Sequence, residues 1–351
     1  MSEITRRKCG LDILRIIATI LIVLHHYQQV IGDFPGSSVS FYSGKIYFGY
    51  TVEFFFVLSG FLTFPYIKKI DNGMNFGLFY GKKAKRFLPW VFASSVGFYL
   101  IHIVYVFIHQ EAWLSVYPHW WEILINSMGM QAGWFFDANR LNFPLWYISI
   151  LFLCYGWFYL FTWIGTRTKI PRVFFYALMF FAGIAIKTCL ARGILIHVPF
   201  INGYSARGYA AFFFGLLVAC YYRKWRRRDF YTVIVVTFSV LLAFFFINIG
   251  ILEYLLMIIA FGVVTAFFSA DFINTGINGI AIKNIGESTF YVYIWHMPAL
   301  LLLVLIKDLV IHNLRLDSFL TMGIFTILLF LAGWGMHSFC FKRKRKTFGN
   351  S

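Results

Sequence analysis

Leu11-Asp12-Ile13-Leu14-Arg15-Ile16-Ile17-Ala18-Thr19-Ile20-Leu21-Ile22-Val23-Leu24-His25-His26-Tyr27-Gln28-Gln29-Val30-Ile31 decides the class of fold. Only Asp12 and Arg15 carry a full charge in this apolar run. A helix of about 20 such residues rises about 30 Å, the thickness of a bilayer's hydrocarbon core. Arg6, Arg7 and Lys8 precede it as in a signal peptide, but no small-x-small cleavage pattern follows, and Arg15 and two histidines interrupt the run. The segment therefore reads as a retained first span.

The rest of the chain repeats this character. Of 351 residues, 60% are hydrophobic and 13% charged, where soluble domains carry about half and about a quarter. Aromatic residues reach 22%, with 44 phenylalanines, as suits helices facing lipid. Apolar runs near 11–31, 47–66, 87–110, 144–164, 173–190, 206–222, 230–248, 251–269, 289–309 and 318–341 predict ten spans in an all-α bundle. No repeat or linker divides the chain, so residues 1–351 read as one membrane domain. The longest segment between spans, 111–143, is rich in tryptophan and predicts a short interfacial or re-entrant helix.

The net charge of +17 has a topological explanation. With the N-terminus cytoplasmic, the inner segments hold Arg6, Arg7, Lys8, Lys68, Lys69, Lys82, Lys83, Lys85, Arg86, Arg167, Lys169 and Arg172. They also hold the run 223–228, Lys283 and the tail 342–346. With Arg15, that is about 24 of the 31 basic residues, which puts both termini on the cytoplasmic side by the positive-inside rule. The surplus gives no support to nucleic-acid binding. Cys9, Cys154, Cys189, Cys220 and Cys340 have no metal or redox spacing, and no disulfide framework is expected.

Ionisable groups within spans cost several kcal/mol and call for an explanation. Arg15 and His26 are eleven residues apart, so they fall about 20° apart on one helical face and about 16 Å apart along the axis. His25 points away, towards a neighbouring helix or the interface. Glu53, in the second span, reaches a similar depth to His26, and a carboxylate beside an imidazole raises its basicity. A His–Glu pair that merely joins two helices has the same spacing. Lys83 and Arg86 share a face ahead of the third span, and with Arg15 they are candidates to bind a polyphosphate. Basic clusters at this position also serve simply as orientation anchors that touch membrane lipids. His296 lies mid-span beside Pro298, as a helix contact or a ligand group. Lys187, Arg192, Arg207 and Glu253 lie towards the outer face, as candidates to meet an anionic or sugar acceptor; snorkelling explains the long basic side chains equally well.

These residues also carry a family pattern. Arg15 through His26 resembles an Arg-x10-His motif, and Thr51-Val52-Glu53-Phe54-Phe55-Phe56-Val57-Leu58-Ser59-Gly60-Phe61 resembles an acidic-FFF-hydrophobic-SGF signature. Lys83-Ala84-Lys85-Arg86-Phe87-Leu88-Pro89 is similar to an Arg-x-x-Arg element followed by proline, with Lys83 in place of the first arginine. Leu145-Trp146-Tyr147-Ile148-Ser149 is similar to a Leu-Trp-aromatic segment, and Gly286-Glu287-Ser288-Thr289-Phe290 to His296 to a closing Gly-x-x-Ser…Tyr-x-x-His motif. Over essentially its whole length the sequence resembles the acyltransferase-3 family of bacterial integral-membrane O-acyltransferases.

The resemblance implies a multi-pass protein of the bacterial cytoplasmic membrane. Such a protein moves an acyl group, usually acetyl, from acyl-coenzyme A to a hydroxyl of a surface polysaccharide or its lipid-linked precursor. It implies His26 as general base or transient acyl carrier with Glu53 orienting its ring, and Arg15, Lys83 and Arg86 at the coenzyme A phosphates. His296, Arg207, Trp146 and Ser59 are further candidates on the substrate side. Acyl-coenzyme A is the donor substrate, with no tightly bound cofactor and no metal. A transporter or flippase for a glycan or lipid-linked sugar is the competing class, although the inverted repeats common in transporters are not visible.

Overall fold

Helix punctuation in the sequence becomes helix ends in the computed structural model, which describes residues 9–44, 46–135, 141–222, 227–246, 250–270 and 279–348. The Asn75 side chain accepts a hydrogen bond from the Leu78 amide at 2.8 Å and starts one helix. Asn202 and Ser205 form a reciprocal capping box that starts another. Helices α1 (Cys9–Ile31), α2 (Thr51–Thr63), α3 (Tyr66–Asp71), α4 (Phe76–His109) and α5 (Glu122–Ser127) come first. Then follow α6 (Trp146–Arg167), α7 (Arg172–Ala191), α8 (Gly203–Tyr221), α9 (Arg227–Phe246), α10 (Ile251–Ser269), α11 (Gly279–Leu309) and α12 (Phe319–Phe348). No strand occurs among the described residues. Basic residues 6–8 and 223–226, with 136–140 of the loop after α5, lie outside the described residues, and side chains 227–228 and 342–346 are likewise not described.

Among the described residues every expected span overlaps a helix, and seven helices are long and apolar enough to cross a membrane: α1, α4, α6, α7, α10, α11 and α12. Two apolar helical stretches, Phe48–Thr63 and Tyr231–Leu242, are shorter. α8 has the length but gives part of it to the glycines, Ser205 and Arg207 that pack against its neighbours. The third span differs most from expectation. α4 begins at Phe76 rather than near 87 and continues through Lys82, Lys83, Lys85, Arg86 and Pro89. Lysine and arginine are good helix formers, so the helix extends beyond its apolar part. The segment after it does contain a short helix, α5.

The chain divides into two compact units, one of residues Met1–Thr51 with Phe267–Ser351 and the other of Val52–Ala266. In the first, α1 packs along α11, and α12 packs against both. The Tyr27 hydroxyl donates to the Leu316 carbonyl at 2.8 Å, and Gly286 leaves room for Asp12, whose Cβ would lie 2.6 Å from any Cβ added there. The loop after α1 folds back over that helix. The Gln28 side-chain oxygen accepts from the Phe41 amide at 2.6 Å, and Ser43 donates to Asp33. Hydrogen bonds from Ser40 and Ser43 hold the Asp33 carboxyl below its usual range.

In the second unit, α6, α7 and α8 pack together around Phe152, Phe158, Phe212, Phe213 and Tyr176, all fully buried. α2 and α8 touch backbone to backbone. A Cβ on Gly60 would lie 1.9 Å from the Phe212 carbonyl oxygen, and one on Gly215 would lie 1.9 Å from that of Val57. Small residues at such crossings are how helices approach closely in a membrane, where the hydrophobic effect does not hold them together. At the far end of the unit, Asp71 receives hydrogen bonds from Arg172 and Thr166. Burial works against its carboxylate, but these partners outweigh it and hold the carboxyl below its ordinary range.

Candidate functional site

Two polar centres carry most of the candidate residues, one in each unit. The first is built from histidines. His26 on α1 and His296 on α11 are 7% and 1% exposed. The His296 Nε2 lies 2.9 Å from the His26 Nδ1, with the rings stacked at 4.9 Å between centroids. The Tyr293 carbonyl lies against the His296 Nδ1. A carbonyl can only accept, so His296 carries its proton on Nδ1, and in a neutral ring its Nε2 is then an acceptor. His26 must therefore donate through Nδ1, which makes Nε2 its lone-pair nitrogen. His25, next to it, places its Nδ1 2.9 Å from the Phe41 carbonyl, and its ring sits edge-on to Tyr42 and Tyr47. It thus holds the folded-back loop in place.

Arg15 lies on the same continuous helix, and its guanidinium is 2.8 Å from the Asp12 carboxylate, which is 1% exposed. Asp12 was not among the candidates, although its position three residues before Arg15 puts it on the same helical face. At the same end of the unit, His337 on α12 pairs with Glu287 on α11 at 3.1 Å.

The second centre holds Glu53. Within its own unit Glu53 has two partners, Arg207 and Tyr254. Arg207 grips the carboxylate with two hydrogen bonds, Nε at 2.6 Å and Nη2 at 2.8 Å, and the Tyr254 hydroxyl donates to it at 3.2 Å. The nitrogen facing the His26 Nδ1 belongs to His296. Glu53 is completely buried, so this bidentate pairing satisfies a charge that lipid or apolar protein would not. The Arg207 guanidinium lies 4.9 Å from the Trp146 ring centre, and the Lys187 ammonium 4.3 Å from that of Tyr254. Ser59, a substrate candidate in the sequence, is bonded to the Tyr147 hydroxyl at 2.8 Å and ties α2 to α6.

Four helices begin around this centre and one ends there. Glu53, Trp146, Arg207 and Tyr254 stand in or near the first turns of α2, α6, α8 and α10, and Lys187 stands four residues before the end of α7. The Gly60–Gly215 crossing makes the meeting possible. Glu53 lies seven residues before Gly60 and Arg207 eight before Gly215, so the two parallel helices bring them level. Tyr254 is the residue that sequence reading missed here. It lies 201 positions from Glu53, and no local pattern links them.

The basic cluster of α4 takes a third form. The Lys83 ammonium lies 4.4 Å from the ring centres of both Tyr66 and Tyr155, held by aromatic faces. Arg86, one turn later, is exposed. The described residues contain no group of histidine, cysteine and carboxylate side chains able to hold a metal ion, and all five cysteines are free thiols.

No curated protein and no solved structure matches the chain. A family model described as an acyltransferase domain, that of acyltransferase-3, matches residues 10–337 and so takes in both polar centres. With seven apolar helices among the described residues long enough to cross a bilayer and a family match over nearly its full length, the chain is a multi-pass membrane acyltransferase and belongs to the acyltransferase-3 family.

Proposed function

We propose that the protein is an O-acyltransferase that moves an acyl group, acetyl in the simplest case, from cytoplasmic acyl-coenzyme A to a hydroxyl of a cell-surface polysaccharide or its lipid-linked precursor. The observation that carries this reading is the hydrogen-bond chain from the Tyr293 carbonyl through His296 to His26. In this reading the chain fixes the His26 ring, and Nε2 serves as the base that takes the hydroxyl proton.

In the reaction we assign, the His26 Nε2 takes the proton of the acceptor hydroxyl as its oxygen attacks the thioester carbonyl. The C–S bond then breaks, and the leaving thiolate takes the proton back from the imidazolium. The same lone pair serves if His26 carries the acyl group transiently. Arg15, held by Asp12 about 16 Å along α1 from His26, is assigned to the phosphates of the donor, at a distance an extended pantetheine arm spans. Arg86 is assigned the same ligand chemistry within its own unit, with Lys83 adding its charge. Glu53 is assigned to holding Arg207. The topology that goes with this reading has ten spans and both termini on the cytoplasmic side of a bacterial inner membrane, where the donor is found.

The test uses the purified full chain in lipid discs, with acetyl-coenzyme A labelled in the acetyl group and the polysaccharide of the native host. The expected result is base-labile label on the glycan. Label that stays on the donor, while lipid-linked sugar crosses the membrane in vesicles containing the protein, would make it a flippase and end this assignment.

A further inference from the structure

We infer that Lys187 and Arg207, framed by Trp146 and Tyr254, bind an anionic group on the acceptor, a sugar carboxylate or a phosphate; the inference rests on the acyl-transfer reading for the word acceptor. Two cations and one carboxylate meet at this centre, and both oxygens of Glu53 already bond Arg207. Lys187 has no carboxylate within ion-pairing distance among the described residues. Its ammonium stands over the Tyr254 ring and feels Glu53 and Arg207 only through space. An ammonium half-buried at the end of a membrane helix loses much of its hydration, and a ring face replaces only part of it. An anionic oxygen would complete its coordination.

Two further features favour an anion over a neutral sugar. α2, α6, α8 and α10 all start here, and helix N-termini carry positive partial charge. The Arg207 side chain is a quarter exposed, so the cationic pair is open to a ligand rather than sealed. The Trp146 ring, buried against Tyr204 at 5.1 Å, backs the Arg207 guanidinium and holds it in place. Glu253, next to Tyr254, is exposed on α10 and makes no ion pair with Lys187 among the described residues.

The test is equilibrium binding to the purified full chain in lipid discs, with glucuronate, glucose 6-phosphate and glucose as probes. Glucuronate or the sugar phosphate is expected to bind and glucose not, and the better of the two identifies the source of the charge. Lys187→Gln is expected to weaken that binding roughly 10- to 100-fold, the effect of one hydrogen bond to a charged group, while Lys187→Arg retains it. Equal binding of glucose and the anions, or undiminished anion binding by Lys187→Gln, overturns the inference. If Lys187→Gln does not fold, the wild-type protein decides: anion binding must weaken as salt rises, and binding indifferent to salt overturns it. None of these readouts requires acyl transfer, so loss of the enzymatic reading and loss of this site are separable results.

Discussion

The two polar centres solve the same physical problem in opposite ways. In the histidine centre, two imidazoles are buried in a hydrogen-bonded chain that ends on a backbone carbonyl. In the carboxylate centre, a fully buried charge is matched by a bidentate arginine, with a second cation nearby. A neutral chain costs little to bury and keeps a lone pair for chemistry. An ion pair costs much desolvation and tolerates the loss of neither partner. The first arrangement suits a proton acceptor, and the second suits a rigid electrostatic fixture.

The largest expected effect separates the two by activity. His26→Asn removes the base while keeping a polar group, and we expect acyl transfer to fall about 10²- to 10⁴-fold, the usual contribution of a general base. A label-transfer assay on folded protein, its fold checked by circular dichroism, provides the measurement. The same assay gives a finer comparison at position 296. His296→Leu removes the acceptor that fixes the His26 tautomer, and kcat should drop by about one to two orders of magnitude with KM for the donor little changed. His296→Gln supplies an acceptor oxygen and should restore much of the loss; equal loss in both would make His296 a packing residue.

The carboxylate centre should respond in stability. Glu53→Gln leaves Arg207 without its counter-charge, and unfolding should become easier by about 2–4 kcal/mol. That is below the roughly 3–5 of a fully buried pair, because the Arg207 side chain is 25% exposed. Replacing both residues, Glu53→Gln with Arg207→Met, should recover most of the deficit in a thermal melt. Gly60→Ala tests what brings the pair together. Its Cβ would meet the Phe212 carbonyl oxygen, and pushing α2 from α8 should cost about 1–3 kcal/mol in the same melt.

The exposed pair Asp71–Arg172 is the control. Asp71→Asn should cost less than about 1 kcal/mol, as exposed pairs do. Because folding lowers the Asp71 carboxyl's pKa, its small stabilisation is present above the unfolded value of about 3.9. It is lost as pH falls through the lower folded value. Melts taken from neutral pH into acid in which Asp71→Asn and wild type did not differ even at neutral pH would remove this pair from the account.

Much of this was legible in the sequence, for identifiable reasons. α1 was readable because an apolar run with few charges has a single solution in a bilayer, and the helix then carries Arg15 and His26 on one face. The partners were not readable. Glu53 and Arg207 lie 154 positions apart, and their meeting depends on glycines that permit one particular crossing of α2 and α8. The start of α4 was missed because hydropathy sees only the lipid-facing part of a helix, whereas Asn75 caps it and lysines extend it.

The central claim is that the His26 Nε2 is the group that accepts the hydroxyl proton. Its most direct test is single-turnover transfer of labelled acetyl from acetyl-coenzyme A to the glycan by His26→Ala protein in lipid discs, beside the wild type. The account predicts that label reaches the glycan at least 100-fold more slowly while the thermal melt stays within a few degrees of wild type. Transfer at the wild-type rate by folded His26→Ala protein would contradict it.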